Sequence, residues 1–205
     1  MLLLTAALVT LLFGATAARD TVPVPVRPVA AVDLERYAGL WHEVARLPNR
    51  FQQDCAGETT AEYTLLGNGQ IRVVNSCRHT DGSPMRAEGR ARLADADGPA
   101  SRLKVRFAPA FLSFLPMVWG DYWILDLTDD YGAALVGDPS RKYLWMLSRS
   151  PKLDPTVYTR FVSTAAAQGF DTSRLVWTQA GPAPAPVPAK KTQQRPASDH
   201  PGPRT

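Results

Sequence analysis

Apolar and polar side chains alternate along a series of short segments in this chain, and this period of two is its strongest constraint on the fold. In residues 85–93 the charged members fall on one face and the small or apolar members on the other. Gly67-Asn68-Gly69 lies between two such segments, as is typical of a β-hairpin. Alternation that recurs with a turn signal every dozen residues or so predicts an antiparallel barrel or sandwich.

Eight strands are predicted before any helix. The first is opened by Trp41 and reaches Arg46, and the others lie at 58–66, 70–77, 85–93, 102–107, 119–127, 132–136 and 142–149. Asp154 can cap a helix that begins at Pro155 and runs to about Gln168, because aspartate suits the N-cap and proline suits the first turn. Residues 175–177 are predicted to form a short trailing strand.

Gly39-Leu40-Trp41 leads into the first strand, and the glycine can turn the chain sharply or admit a close neighbour. Strict alternation along this strand predicts two faces. Trp41, Glu43 and Ala45 lie on one, and Leu40, His42, Val44 and Arg46 lie on the other. Glu43 would then point into an apolar interior, where it needs a hydrogen-bond donor or an arginine partner unless it lies at the wet edge.

Eight antiparallel strands, one helix and a trailing strand, headed by Gly39-Leu40-Trp41, resemble the lipocalins, and more closely the bacterial lipocalins related to apolipoprotein D. The similarity covers about residues 33–178, and its motifs lie at 39–46, 60–63, 73–77, 120–127 and 147–149. It implies an all-β, eight-stranded antiparallel up-and-down barrel with one C-terminal α-helix packed outside. It also implies a structural barrel floor of Gly39, Trp41 and Arg149, with the arginine over the tryptophan ring.

The inward face of this barrel carries many small residues. Filling an eight-stranded barrel requires large side chains, so small ones on several strands favour a cavity. The alternative is that neighbouring aromatic rings collapse into the vacated space. The predicted cavity-lining residues are Ala61, Tyr63, Val73, Asn75, Ala87, Gly89, Val105, Phe107, Tyr122, Ile124, Ala134, Tyr143 and Trp145.

An apolar lining with a few polar groups suits an acyl chain. The resemblance implies a fatty acid or a lysophospholipid as the small hydrophobic ligand, and therefore a lipid-binding transport or storage protein. The sequence does not distinguish a monomer from a homodimer. No metal-ligand spacing, nucleophile elbow or phosphate loop occurs in the sequence, so we expect no enzyme and no cofactor. The composition gives no reason to expect nucleic-acid binding. Two alternatives are an interaction module that uses an apolar loop and, less favoured, an enzyme that uses a cysteine thiol.

The segment 109–118 is too apolar for an ordinary loop between strands. It could close the barrel mouth as a lid, rest on a membrane or join two copies of the chain, or it could bury itself against the rim. The candidate mouth residues are Phe111, Leu112, Phe114, Leu115 and Met117.

Cys55 and Cys77 are the two cysteines of the chain. Pairing the strands around Gly67-Asn68-Gly69 brings Cys77 close to Cys55, so a disulfide is predicted, with two free thiols as the less favoured alternative.

The two ends of the chain differ from its body. Residues 1–18 combine an apolar run with a small-residue end, which predicts a secretory signal peptide, although a basic start is missing. No lipid-bearing cysteine follows, so we expect a periplasmic or secreted protein of the cell envelope that could associate with the outer membrane. Residues 19–32 are a predicted proline-rich linker, 33–179 the folded domain and 180–205 a disordered tail. The tail holds most of the net charge of +4, so the basic pI is not a property of the domain.

Overall fold

The computed structural model describes residues 24–178, so the predicted signal segment and the predicted tail lie outside the described residues. The chain forms a short helix, eight strands, a long helix and a ninth strand. These elements are α1 (Leu34–Tyr37), β1 (Gly39–Arg46), β2 (Gly57–Leu65), β3 (Ile71–Arg78), β4 (Pro84–Leu93), β5 (Arg102–Arg106), β6 (Gly120–Leu127), β7 (Ala133–Gly137), β8 (Leu144–Ser148), α2 (Pro155–Ala167) and β9 (Val176–Trp177).

The strands β1 to β8 close into an antiparallel barrel. Each pairs with the next along the chain, and β1 pairs with both β2 and β8, while β9 adds to β1 outside the ring. The predicted barrel, the helix and the trailing strand are therefore confirmed. Because consecutive strands run in opposite directions, the loops 47–56, 79–83, 107–119 and 138–143 lie at one end, called here the mouth. The helix α1 lies at the other end, the floor.

The helix α2 packs on the outside of the barrel. The carboxylate of Asp154 accepts hydrogen bonds from the backbone N–H groups of Thr156 at 2.7 Å and Val157 at 3.4 Å, which confirms the predicted cap. Phe161 and Ala165 of α2 are fully buried against an outer-wall cluster that includes Val44, Ala45 and Leu125. No helix among residues 24–178 is long and apolar enough to span a bilayer.

The outer wall facing α2 is shaped by two β-bulges. One interrupts the pairing of β1 with β8 between Glu43 and Ala45, and the other interrupts β6 with β7 between Ile124 and Asp126. Such a bulge places two successive residues on the same side of the strand. Val44 and Ala45 therefore both face α2, and Arg46 turns inward, so the faces predicted for Ala45 and Arg46 from strict alternation were wrong.

The described part of the predicted linker runs along the barrel. The backbone N–H of Val29 donates to the carbonyl of Ile124 at 2.9 Å, and that of Arg27 donates to the side chain of Gln168 at 2.7 Å. Val26 packs with the outer-wall cluster. Val29 packs with the interior cluster, which is the set of buried side chains inside the barrel that includes Trp41 and Ile124. This segment thereby covers parts of the barrel wall that would otherwise face water.

Candidate ligand-binding barrel

The floor is closed by Arg149 over Trp41. The guanidinium carbon lies 3.9 Å from the ring centroid, as the resemblance implied. The same guanidinium donates to the carbonyls of Leu40 and Ala38 at 2.8 Å each, and of Arg36 at 2.8 Å. One cation therefore ties the end of β8 to the chain between α1 and β1.

Gly39 is required by this arrangement. Its φ is +97°, a backbone conformation that residues with a Cβ rarely adopt. A Cβ at this position would lie 3.3 Å from Nη1 of Arg149. The glycine of the Gly-x-Trp motif thus provides both the turn into β1 and the room for the arginine.

Three tyrosine hydroxyls meet inside the barrel above the floor. The hydroxyl of Tyr122 lies 2.8 Å from that of Tyr37 and 2.8 Å from that of Tyr63. Tyr63 and Tyr122 were predicted to face inward, whereas Tyr37 comes from α1, which alternation along strands cannot reveal. Burial raises the pKa of all three tyrosines, and it raises that of Tyr63 to about 12.

This cluster predicts a loss of stability in alkali. An unfolded tyrosine ionises near pH 10, whereas folded Tyr63 stays neutral until about pH 12, so unfolding releases protons and stability falls as the pH rises through this window. Because of Tyr63 alone, the free energy of unfolding should fall by about 1.4 kcal/mol between neutral pH and pH 11. Urea unfolding at pH 8 and pH 11 should show a smaller loss for Tyr63→Phe than for the unchanged chain. An equal loss in the two proteins would contradict the prediction.

A second polar cluster lies between the tyrosines and the mouth. The bulge in β1 brings Arg46 beside Glu43, with 3.5 Å between Nη1 and Oε1. The side-chain amide of Gln52, from the loop 47–56, donates to Glu43 Oε2 and accepts from Trp145 Nε1 at 2.9 Å and Asn49 Nδ2 at 2.8 Å. Burial raises the pKa of Glu43, while these neighbours act in the opposite direction. The arginine partner expected for Glu43 is thus present.

The predicted lining residues occupy different depths. Those that join the interior cluster or pack against it are Ala61, Tyr63, Val73, Val105, Tyr122, Ile124, Ala134 and Trp145. Asn75 lies opposite Ala87 and Val73 opposite Gly89 in the pairing of β3 with β4. Asn75, Ala87, Phe107 and Tyr143 keep part or much of their surface accessible, so the upper wall can be reached from solvent.

Gly89 shows that a small residue need not open a cavity. A Cβ at this position would lie 2.8 Å from the Phe107 ring, so the glycine makes room for that ring. The alternative of a neighbouring aromatic moving into vacated space is therefore realised at this one point, and Phe107 still exposes 42% of its surface.

The loop 107–119 presents apolar side chains to solvent. Phe111, Phe114 and Met117 are 73%, 76% and 86% exposed, so these three side chains do not follow the alternative in which the segment buries itself against the rim. Leu112 and Leu115 are half-buried.

The base of this loop is held on the outer wall. The ring of Trp119 lies 4.5 Å from the guanidinium of Arg92 and 5.3 Å from that of Arg106, and its Nε1 donates to the carbonyl of Ser113 at 2.8 Å. The exposed side chains are therefore carried on an anchored loop rather than on a free one.

The predicted disulfide joins Cys55 to Cys77, with 5.7 Å between their Cα atoms. It fixes the loop 47–56, which carries Gln52, to the mouth end of β3. Within residues 24–178, no group of three or more histidine, cysteine, aspartate or glutamate side chains could hold a metal ion.

Comparison with known proteins assigns this barrel to a family. Residues 32–180 match the model of a lipocalin-like domain. The chain is a lipocalin. It is 42% identical over 148 residues to temperature-induced lipocalin-1 of Arabidopsis thaliana, covering 72% of this chain and 78% of that protein. It is 36% identical over 161 residues to the outer membrane lipoprotein Blc of Escherichia coli K12, covering 77% and 86%.

Solved structures support the same assignment. Insecticyanin of the tobacco hornworm Manduca sexta superposes with a TM-score of 0.59 at 25% identity, and the match covers 76% of this lipocalin and 85% of that chain. Lipocalins generally bind small hydrophobic ligands.

Among the polar residues of the two interior clusters, sequence reasoning missed Tyr37, Arg46 and Gln52. Tyr37 lies on a helix, Gln52 on a loop and Arg46 after a bulge, so none follows from alternation. The one available signal was Glu43, because a buried carboxylate requires partners from somewhere in the fold.

Proposed function

We propose that this lipocalin carries a fatty acid or lysophospholipid within the cell envelope and exchanges it with a membrane at the barrel mouth. The single observation that carries the proposal is the combination of Ala87 and Phe107, which lie near the mouth and keep much of their surface accessible, with exposed Phe111, Phe114 and Met117 on the adjoining loop. An acyl chain gains about 0.8 kcal/mol per methylene that it buries, so partial burial suffices for micromolar binding.

An envelope location rests on separate support. The Cys55–Cys77 disulfide is typical of an oxidising compartment. Blc, the Escherichia coli protein to which this chain is similar, is named an outer membrane lipoprotein. Residues 1–18, with the pattern of a signal peptide, supply a route for export.

Lipid extraction tests the proposed function. The freshly purified protein is extracted with organic solvent, and the extract is analysed by mass spectrometry beside an extract of a non-lipocalin protein purified from the same cells. Fatty acid or lysophospholipid that is enriched and near-stoichiometric supports the carrier. An interaction module would be favoured instead if no lipid is found and the protein forms a stable dimer. Serine at Phe111, Phe114 and Met117 should then dissociate that dimer.

The loop gives a second test of the same proposal. Replacing Phe111, Phe114 and Met117 by serine should slow acyl transfer between the protein and phospholipid vesicles roughly tenfold or more, because each apolar side chain contributes about 1–2 kcal/mol of membrane contact. Transfer of a fluorescent fatty acid to vesicles that carry a quencher measures the rate.

A matched control for this loop is Leu40→Ser, since Leu40 is an exposed apolar residue at the floor end. Leu40→Ser should leave the transfer rate unchanged. Equal rates for the triple variant and for Leu40→Ser would exclude a role of the loop in transfer. The exposed Arg92 side chain near the loop base further predicts faster transfer to anionic than to neutral vesicles.

A further inference from the structure

The inner wall near the mouth carries a cation that strict alternation would place outside. The bulge in β1 sets Arg46 opposite Trp145, which packs against the interior cluster. Arg46 also lies beside Glu43, and Glu43 is opposite Leu147 of the same cluster. Arg46 is 8% exposed. The bulge therefore brings a guanidinium into an apolar barrel, which is costly unless its donors are used.

The donors of Arg46 are incompletely used. Nη2 donates to the backbone carbonyl of Gln52 at 2.9 Å, and Nη1 lies 3.5 Å from Glu43. Nε is buried and has no hydrogen-bond partner among the described residues. A guanidinium presents its N–H groups in a planar fork that suits an oxyanion.

Gln52 occupies a position that suits a planar head group with two terminal atoms. Its Oε1 accepts from Trp145 Nε1 and Asn49 Nδ2, and its Nε2 faces Glu43. A side-chain amide has the shape of a carboxylate, and two converging N–H donors beside a guanidinium favour a negatively charged oxygen. The loop that carries Gln52 is held by the disulfide at Cys55 and by the ring contact of Phe51 with Tyr143.

We propose that the carboxylate of a bound fatty acid takes the place of the Gln52 side-chain amide, with Arg46 as its charge partner and its acyl chain extending into the apolar interior. This inference rests on the proposed function and names one ligand class within it. Glu43 then faces the second carboxylate oxygen, so one proton lies between the two carboxyl groups. Burial of Glu43 favours its protonated form.

The experiment compares dodecanoate with methyl dodecanoate, which has the same chain without the charge, by displacement of a fluorescent probe from the full-length protein. Removing Arg46 alone would leave Glu43 buried without its cation and could prevent folding. We therefore compare Glu43→Gln, which keeps the arginine, with the double variant Glu43→Gln/Arg46→Gln, which has a neutral pair. Arg86→Gln, at an exposed outward position on β4, is the control for loss of a positive charge.

The expected result is dodecanoate binding to Glu43→Gln at least as tight as to the unchanged protein, and about tenfold weaker binding to the double variant. Methyl dodecanoate should bind all four proteins alike. Equal dodecanoate affinity in the two Glu43→Gln proteins, or equal loss for the ester, would overturn the carboxylate site. If dodecyl phosphate depends on Arg46 and dodecanoate does not, the site belongs to a phosphate head and the proposal is wrong.

These outcomes also separate the two proposals. If neither the acid nor the ester binds the unchanged protein, the proposed lipid carriage fails. If both bind without discrimination, lipid carriage stands and only the Arg46 site fails.

Discussion

Replacing Arg149 by alanine is expected to lower the free energy of unfolding by about 4 kcal/mol, the largest effect that we predict for a single side chain. The guanidinium donates to the carbonyls of Arg36, Ala38 and Leu40 within 2.8 Å and lies on the ring of Trp41. Each hydrogen bond contributes about 1 kcal/mol and the cation–π contact about 1 kcal/mol more. Urea unfolding followed by tryptophan fluorescence and circular dichroism measures the change.

Two variants separate charge from geometry at this position. Arg149→Lys keeps the cation near Trp41 but cannot reach several carbonyls at once, so about half of the loss should remain. Arg86→Ala removes an exposed arginine of β4 and should change stability by less than about 0.5 kcal/mol. If Arg149→Ala were as stable as Arg86→Ala, the floor contacts would contribute nothing and the account given for Gly39 would also fail.

Replacing Cys55 and Cys77 by serine should cost about 3 kcal/mol. The disulfide closes a loop with a sequence separation of 22, and the loop-closure entropy of an unfolded chain of that length gives this value. The substitution should also lower amide-exchange protection in residues 47–56, because the loop that carries Gln52 loses its covalent attachment to β3. Thermal or urea unfolding, together with hydrogen exchange, tests both effects.

Reduction provides an internal check on the disulfide prediction. A thiol reductant should bring the unchanged protein to the stability of the serine variant and leave that variant unaffected. A serine variant as stable as the oxidised protein would mean that the bond contributes no net stabilisation.

Much of the barrel could be predicted from the sequence because the alternation of apolar and polar side chains that marks a strand involves only neighbouring residues. The strands predicted at 85–93 and 102–107 differ by one residue at one end from those observed. The Asp154 cap and the disulfide also follow from short-range rules. The cap depends on the backbone N–H groups two and three residues later, and the disulfide depends on the register of a single hairpin.

The interior chemistry could be predicted only in part. Tyr63 and Tyr122 followed from alternation, but their hydroxyls meet through Tyr37 of α1, which reaches them only after the barrel closes. The alternation predicts that Gly89 lines open space, whereas this glycine accommodates the ring of Phe107, the residue after the adjacent strand β5. A small residue on the inner face leaves space that a neighbouring side chain can fill as well as a ligand.

The sequence by itself determined the eight strands, their order and the face that most residues present, because a period of two fixes the side of a sheet residue by residue. Only the tertiary structure decided the position of Arg46. The outer wall of β1 has to pack both Val44 and Ala45 against α2, and the bulge that allows this shifts the next residue inward. Because a shift of one residue reverses the face of the side chain that follows, Arg46 at the end of β1 points inward, and packing outside the barrel thereby placed a charge inside it.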